Sequence, residues 1–434
     1  MTISRRSLLA GVPAFSMGAL GMAGLARPAA AQARSVTFIG WSQDEAASRP
    51  VLTEMFESFR SANPGVRLDL IGFPWAQMQQ NLILRMRSNQ PLDVAQLQER
   101  WLPTFAALNN LADVEAVFGK PTLEEKIDPG LLRIGRFGGV QWGVPWTAGS
   151  IGMVANRKVL ADAGVTEIPT TLDGFVAALR AVKRANPESV PYGLCTKNNA
   201  SISPDFQVWL WTFGGQLLTT EAGVAVNSDA ARRALTFLVD LMKEGLAARD
   251  IDRPDSRRLF AQNRTAFYAD APIARGFARD NSGQGRAFDQ HVASVPYPVV
   301  RTGANPLSVQ WGHMLVMPQL GGRRATRDSD AARLIEHLAF NDDMQIKYFE
   351  AVGLFPVTRT ALARVRDDAY VSQWAGYARF AEPDEPSKWP NAADLTTIVG
   401  EEVQAALLQQ KPPAQAIADM ARRLEPRMRE VRHG

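Results

Sequence analysis

The sequence predicts an α/β protein made of more than one unit, on three observations. The early part of the chain reads strand, helix, strand, helix, strand, and a comparable alternation begins again near residue 190. Its 434 residues, 46% hydrophobic and 21% charged, suit a soluble chain with a sizeable core and two or three domains.

The first strand is Val36-Thr37-Phe38-Ile39-Gly40, and Val51, Leu52, Met55, Phe56 and Phe59 recur at helical spacing behind it. Asn63-Pro64-Gly65 breaks that helix. Val66 to Ile71 alternates as a second strand, a helix follows through Leu82, Ile83 and Met86, and Asp93 to Leu97 makes a third strand. Right-handed crossovers turn this βαβαβ run into a parallel sheet with helices on both faces, and ligands of such sheets sit at the carboxyl ends of strands. Those ends are Trp41-Ser42-Gln43-Asp44 and Gln98-Glu99-Arg100-Trp101.

The stretch Phe137 to Leu179 is the most informative. Gly138-Gly139 supplies the positive φ of a hairpin turn, and Pro145, unable to continue a central strand, should end the strand pair. Ile151 to Ala155 is short and apolar on both faces, like a strand covered on both sides. Asn156 opens a helix that stops at Ala163-Gly164. The next starts at Thr170-Thr171-Leu172-Asp173 and buries Leu172, Phe175, Leu179 and Val182. A second α/β unit then reads Val190 to Leu194 as strand, Phe206 to Phe213 as helix, and a Ser228-capped helix carrying Leu235, Leu238, Val239 and Met242. Helices over 393–409 and 413–431 close the chain.

The N-terminus differs from all of this. Paired Arg5-Arg6, a Gly- and Ala-rich apolar run to Leu25 and the small residues Ala29-Ala30-Ala31 read as a signal peptide over 1–31, resembling a twin-arginine export signal. Cleavage near Ala31 or Ala33 would release the protein into the periplasm. Removing 1–31 takes away Arg5, Arg6 and Arg27 and no acid, so the formal charge falls from +4 to +1. Basic residues are scattered among acids, which excludes the basic face of a nucleic-acid binder. The single cysteine, Cys195, excludes internal disulfides and multi-cysteine metal or iron–sulfur sites. No metal or cofactor is expected.

GVQWGVP (residues 139–145), VANRKVLADAG (154–164) and IPTTLDG (168–174) together resemble the hinge region of bacterial extracellular solute-binding proteins, family 1, the sugar-binding components of ABC importers. There the corresponding blocks read GxxYGVP, YNKxLxxxAG and PxTWxE. Trp142, Ala155 and Leu172 depart from that pattern without removing a turn or cap. Pro91-Leu92-Asp93-Val94, the 259–267 stretch and Gly353-Leu354-Phe355-Pro356-Val357-Thr358 resemble further family blocks in order.

The resemblance implies a two-lobed periplasmic binding protein fold, type II-like, each lobe a mainly parallel sheet flanked by helices, with the ligand cleft between. It places 32–147 plus 271–313 in the first lobe and 148–270 plus 314–434 in the second. The crossings would fall at the hinge, after Phe267 to Asp270, and at Ser308 to Met317, with Val292 to Val295 completing the first lobe. It implies a monomer that is not an enzyme and has no catalytic residues. It would capture a sugar or polyol and present it to the permease subunits of an ABC transporter, with no nucleic-acid partner.

Ten tryptophans stand out, because a flat apolar ring stacks on the C–H face of a pyranose while polar neighbours take its hydroxyls. The ligand-binding candidates are Trp41, Ser42, Gln43, Asp44, Gln98, Glu99, Trp146, Trp209, Asp270, Trp311 and Gly312. Trp146 leads, since it follows Pro145 at the first crossing. Trp209 shares a face with Phe206 and Phe213, which favours core over site, Asp270 reads equally as a helix cap, and His313 reads more as a structural histidine than as a ligand contact. Arg275, Arg279 and Arg359 keep open an anionic ligand such as a glycerol phosphate. No nucleophile motif, phosphate loop or His-Glu-x-x-His occurs, but a pair of cleft acids would still allow a glycoside-processing enzyme.

Overall fold

The computed structural model describes residues 34–433; the expected signal segment lies outside them. The three expected opening strands form at Arg34–Gly40, Val66–Gly72 and Val94–Gln98, the first lying parallel between the other two. Helix Arg49–Ala62 buries Val51, Leu52, Met55, Phe56 and Phe59, the five residues whose spacing announced it. Caps also form where the side-chain chemistry puts them. Asn156, Thr171 and Ser228 accept from the backbone N–H of Val159, Gly174 and Ala231.

The fold is two-lobed α/β, and the long strand Gly143–Asn156 joins the lobes. Its first half pairs antiparallel with Ser308–Val316, which in turn pairs with Val94–Gln98 in the first lobe. Its second half pairs with Phe267–Asp270 and Val292–Val295 in the second lobe. Gly138 and Gly139 make the hairpin turn at φ 58° and 83°.

Several expectations change. Pro145 does not end the strand. It sits opposite Met314, where the register shifts between His313 and Met314, so the missing N–H falls at a bulge where the ladder is already interrupted. Phe267–Asp270 lies in the second lobe as expected, paired with Gly152 to Ala155, but the crossing expected after it does not occur before the next strand. Val292–Val295 likewise belongs to the second-lobe sheet and not to the first. Helices Asp330–Ile335 and Asp342–Val352, expected in the second lobe, pack on the first. Between and within them, His337 bonds the Met55 carbonyl at 3.0 Å and Lys347 pairs with Glu54. An apolar strand or amphipathic helix carries no mark of which sheet it will cover, so these assignments depended on counting crossings. Gly353, at a φ of 85°, ends the helix; Phe355 then bridges to Ala148 and Thr358 to Ile127, and helix Ala369–Ala378 packs on Val292–Val295 in the second lobe.

Candidate functional site

A cavity of about 370 Å³ lies where the carboxyl ends of the first-lobe strands face the second lobe. That volume is within the usual range of small-molecule sites, about 300–1,000 Å³. Trp41, Trp75, Gln98 and His313 form one wall, and Asn199, Ser201, Arg253, Arg257, Asp270 and Phe277 form the other. Trp311, on the strand Ser308–Val316, closes it between them.

The first wall is aromatic. The His313 ring sits between Trp41 and Trp311, with centroids 4.5 and 4.1 Å away. Gln96 holds this arrangement from behind. Its amide nitrogen donates to Ser42 Oγ at 2.7 Å and faces His313 Nδ1 at 3.1 Å, while its oxygen accepts from the Ser42 backbone N–H. An amide donor at Nδ1 makes Nε2 the protonated nitrogen of a neutral ring, and burial pushes the His313 pKa well below its ordinary value. Trp75 donates from Nε1 to Gln98 Oε1 at 3.1 Å. Among the described residues the Gln98 amide NH₂ has no protein acceptor, so it is available to a ligand.

The second wall is charged and internally neutralised. Asp252 and Asp255 form a capping box at the start of helix Arg253–Ala261, and the i, i+4 spacing puts Arg253 and Arg257 on one face. Arg253 Nη2 meets Asp205 Oδ1 at 2.6 Å. Arg257 grips Asp270 with Nε and Nη2, at 2.7 and 2.8 Å, and its guanidinium lies 3.7 Å over the Phe277 ring. Glu45, on the cavity rim, faces this pair, and burial pushes its pKa up to about 7 against the opposing pull of Arg257.

Of the residues the sequence nominated, Trp41, Asp44, Gln98, Asp270 and Trp311 line the cavity. Trp146, Trp209, Ser42, Gln43, Glu99 and Gly312 do not. Trp146 is the extra residue of the bulge, opposed by no partner on the neighbouring strand. The bulge turns it away from the cleft to stack on Tyr348, 5.0 Å between centroids, where it is fully buried. Trp209 is core, donating to the Tyr192 hydroxyl at 3.0 Å among Phe175, Phe237 and Tyr297. Ser42 orients Gln96. Gln43 lies against Gly72. Glu99 accepts from Gln310, and burial raises its pKa to about 8. Gly312 serves packing, since a Cβ there would meet Ile134 and the Thr147 carbonyl within 3.0 Å.

Arg275, Arg279 and Arg359 also lie off the cavity, bound to Asp368, to Asp289 and to the Glu124 carbonyl. Trp75, Glu45, Arg253 and Arg257 were missed. Applying the strand-end rule to Val66–Gly72 finds Trp75, which follows Pro74 just beyond it. The two arginines carry a readable helical spacing, but nothing local says that their face meets a cleft.

Residues 40–332 match the family model described as bacterial extracellular solute-binding protein. This chain belongs to that family. Its members are non-catalytic transport components that work outside the cytoplasm, and so is this binding protein. A Brucella abortus chain described only as a binding protein is 21% identical over 389 residues, covering 86% of this chain and 88% of its own. The binding protein superposes on the GacH receptor of Streptomyces glaucescens, solved unliganded and with acarbose, at TM-score 0.80. Identity is 18%, over 92% of this chain and 99% of the receptor. Against the maltose-bound MalE3 of T. maritima the TM-score is also 0.80, with 22% identity over 91% and 99% of the two chains. Among the described residues no cluster of three or more His, Cys, Asp or Glu could hold a metal.

Proposed function

We propose that the binding protein captures a neutral sugar or polyol between its lobes and delivers it, as a monomer, to the permease of an ABC importer. The observation that carries this reading is the pairing of an aromatic wall with a wall whose arginines are already neutralised. Trp75, half-buried on the cavity, offers a face for the C–H side of a sugar ring, with the nearly buried Trp41 and Trp311 beside it. Opposite them, Arg253 and Arg257 are each tied to a carboxylate, so they present N–H groups without an unbalanced positive charge. On that wall a phosphate or other anion would find Arg253 and Arg257 already paired with carboxylates, and Arg100, which lines the cavity from the first lobe without an ion pair among the described residues, is the cation through which it would have to bind. The acarbose and maltose held by the two structural relatives support the same ligand class.

Contacts made to both lobes at once favour the closed arrangement, and the permease would read that state. A polyol falls within the same chemistry as a sugar. The signal at Arg5-Arg6 supplies the export route in this reading, by the twin-arginine pathway into the periplasm, with removal near Ala31 or Ala33.

A thermal-shift series across neutral sugars, polyols and glycerol phosphates tests the reading, since binding to the native state raises its melting temperature. Neutral saccharides or polyols should raise it and be recovered chemically unchanged. A shift with glycerol phosphate alone would overturn the neutral-ligand assignment.

A further inference from the structure

One carboxylate on the cavity has no cation of its own. Of the arginines that line the cavity, Arg253 is paired with Asp205, Arg257 with Asp270 and Arg258 with Asp255. The carboxylates acting most on Arg100, the remaining one, are Asp384 and Asp205. Glu45 is left over. It comes from the first lobe, just past the end of strand Arg34–Gly40, and faces the Arg257–Asp270 pair of the second lobe across the cleft.

The surroundings of Glu45 favour its neutral form. Ser48 Oγ gives its short bond, 2.6 Å, to the Ser42 carbonyl and reaches Glu45 Oε2 only at 3.5 Å, the one hydrogen bond to that carboxyl among the described residues. Asp270 opposite and Asp44 beside it repel a negative charge, and exposed Asp280 adds another acid to the lining. Arg257 attracts one, but both arms of its guanidinium are engaged by Asp270. On helix Asp342–Val352 the Tyr348 phenol completes the group, its proton held chiefly by burial. Burial outweighs the pull of Arg257 and brings Glu45 to about 7. Arg257 and Asp270 belong to the second lobe, so parting the lobes takes both away from Glu45 and returns it to water and to its ordinary 4.5.

We propose that the lobes close with uptake of a proton by Glu45, so that capture is tightest at mildly acidic pH and weakens toward alkaline pH. A proton held in the closed state and lost in the open one favours closure. That contribution is complete below about 4.5 and disappears as pH rises through about 7. The protonated carboxyl can also donate to a hydroxyl oxygen, which a carboxylate cannot. This rests on the neutral-sugar reading and adds to it the condition under which capture is tight.

The test is calorimetric titration of the exported full chain with glucose, maltose, maltotriose, galactose, mannose, xylose and glycerol, the tightest binder being carried through pH 5.5, 6.5, 7.5 and 8.5. At pH 6 the titration is repeated in phosphate and in imidazole, whose different ionisation enthalpies count the protons taken up. Wild type should lose affinity by about fivefold or more from pH 5.5 to 8.5 and take up about half to one proton at pH 6. Glu45→Gln, which cannot titrate, should flatten the affinity profile and reduce the uptake by about half a proton or more; Glu45→Ala replaces it if that variant melts early. Wild-type affinity constant within twofold across the range, or the same proton uptake in wild type and variant, overturns the proton link and leaves the sugar reading standing. If none of these compounds binds at any pH, the sugar reading itself fails and the proton link falls with it.

Discussion

The wall that the first lobe gives the cleft and the wall that the second lobe gives it are held rigid by different forces. Trp41, His313 and Trp311 are fixed edge to face, with Gln96 and Ser42 bonded behind them. Arg253 and Arg257 are fixed by Asp205 and Asp270, carboxylates that are themselves almost fully buried. Aromatic packing loses contact area when one member is removed and the rest survives. A buried ion pair behaves otherwise, because removing one partner leaves the other charge desolvated and uncompensated. The first wall should therefore tolerate substitution with a loss of affinity, and the second should lose stability.

Asp270→Asn gives the largest expected effect. It strips Arg257 of its bidentate partner and Arg253 of a carboxylate 4.0 Å away, and should cost about 3–5 kcal/mol of stability in urea unfolding. A loss under about 1 kcal/mol would mean that water reaches these arginines and that the second wall is softer than its burial suggests.

Trp146→Ala separates the aromatic residues of the wall from those of the core. Fully buried on Tyr348, it should destabilise by about 3–5 kcal/mol, with the affinity of the folded fraction unchanged. Trp75→Ala should do the reverse. This half-buried ring faces the cavity, so ligand affinity should fall by about 1–3 kcal/mol in calorimetry, with a smaller shift in melting temperature. Equal affinity losses in the two variants would erase the distinction between wall and core.

A pH dependence separates the two walls in another way. Burial raises Glu45 to about 7 and Glu99 to about 8 in the folded chain, above the ordinary 4.5. Between those values the folded state binds more protons than the unfolded state, so these two groups make stability fall as pH rises from about 4.5 toward 7 and 8. Glu45→Gln and Glu99→Gln should each flatten the decline measured by denaturation at pH 5, 6, 7 and 8. A parallel curve in either variant would place that carboxylate in water.

Local chemistry made much of the fold legible. Each of Asn156, Thr171 and Ser228 caps its helix with its own side chain, and Gly138-Gly139 turns a hairpin because only glycine reaches those φ values without cost. The apolar stripe of Val51 to Phe59 depends on nothing beyond its own helix. For the site, the strand-end rule found Trp41, Asp44 and Gln98, because the carboxyl ends of a parallel sheet open toward a ligand whatever covers the sheet.

Tertiary structure decided the rest. Trp146 and Trp311 lie on neighbouring antiparallel strands at the same interlobe passage, and their sequences do not tell which faces the cleft. The bulge opposite His313 and Met314 decides it, and a bulge is a property of two strands in register. Arg253 and Arg257 enter the site through a carboxylate that closes its strand thirteen residues on from Arg257, and through Asp205 from a separate helix. Whether Val292–Val295 joins one sheet or the other is likewise settled by which strand edge is open when it arrives. Periodicity and capping are written within a few residues of chain, so the sequence by itself determined the elements and their order. Which side chains share a space depends on contacts between residues tens to hundreds of positions apart, and only the assembled fold determines those.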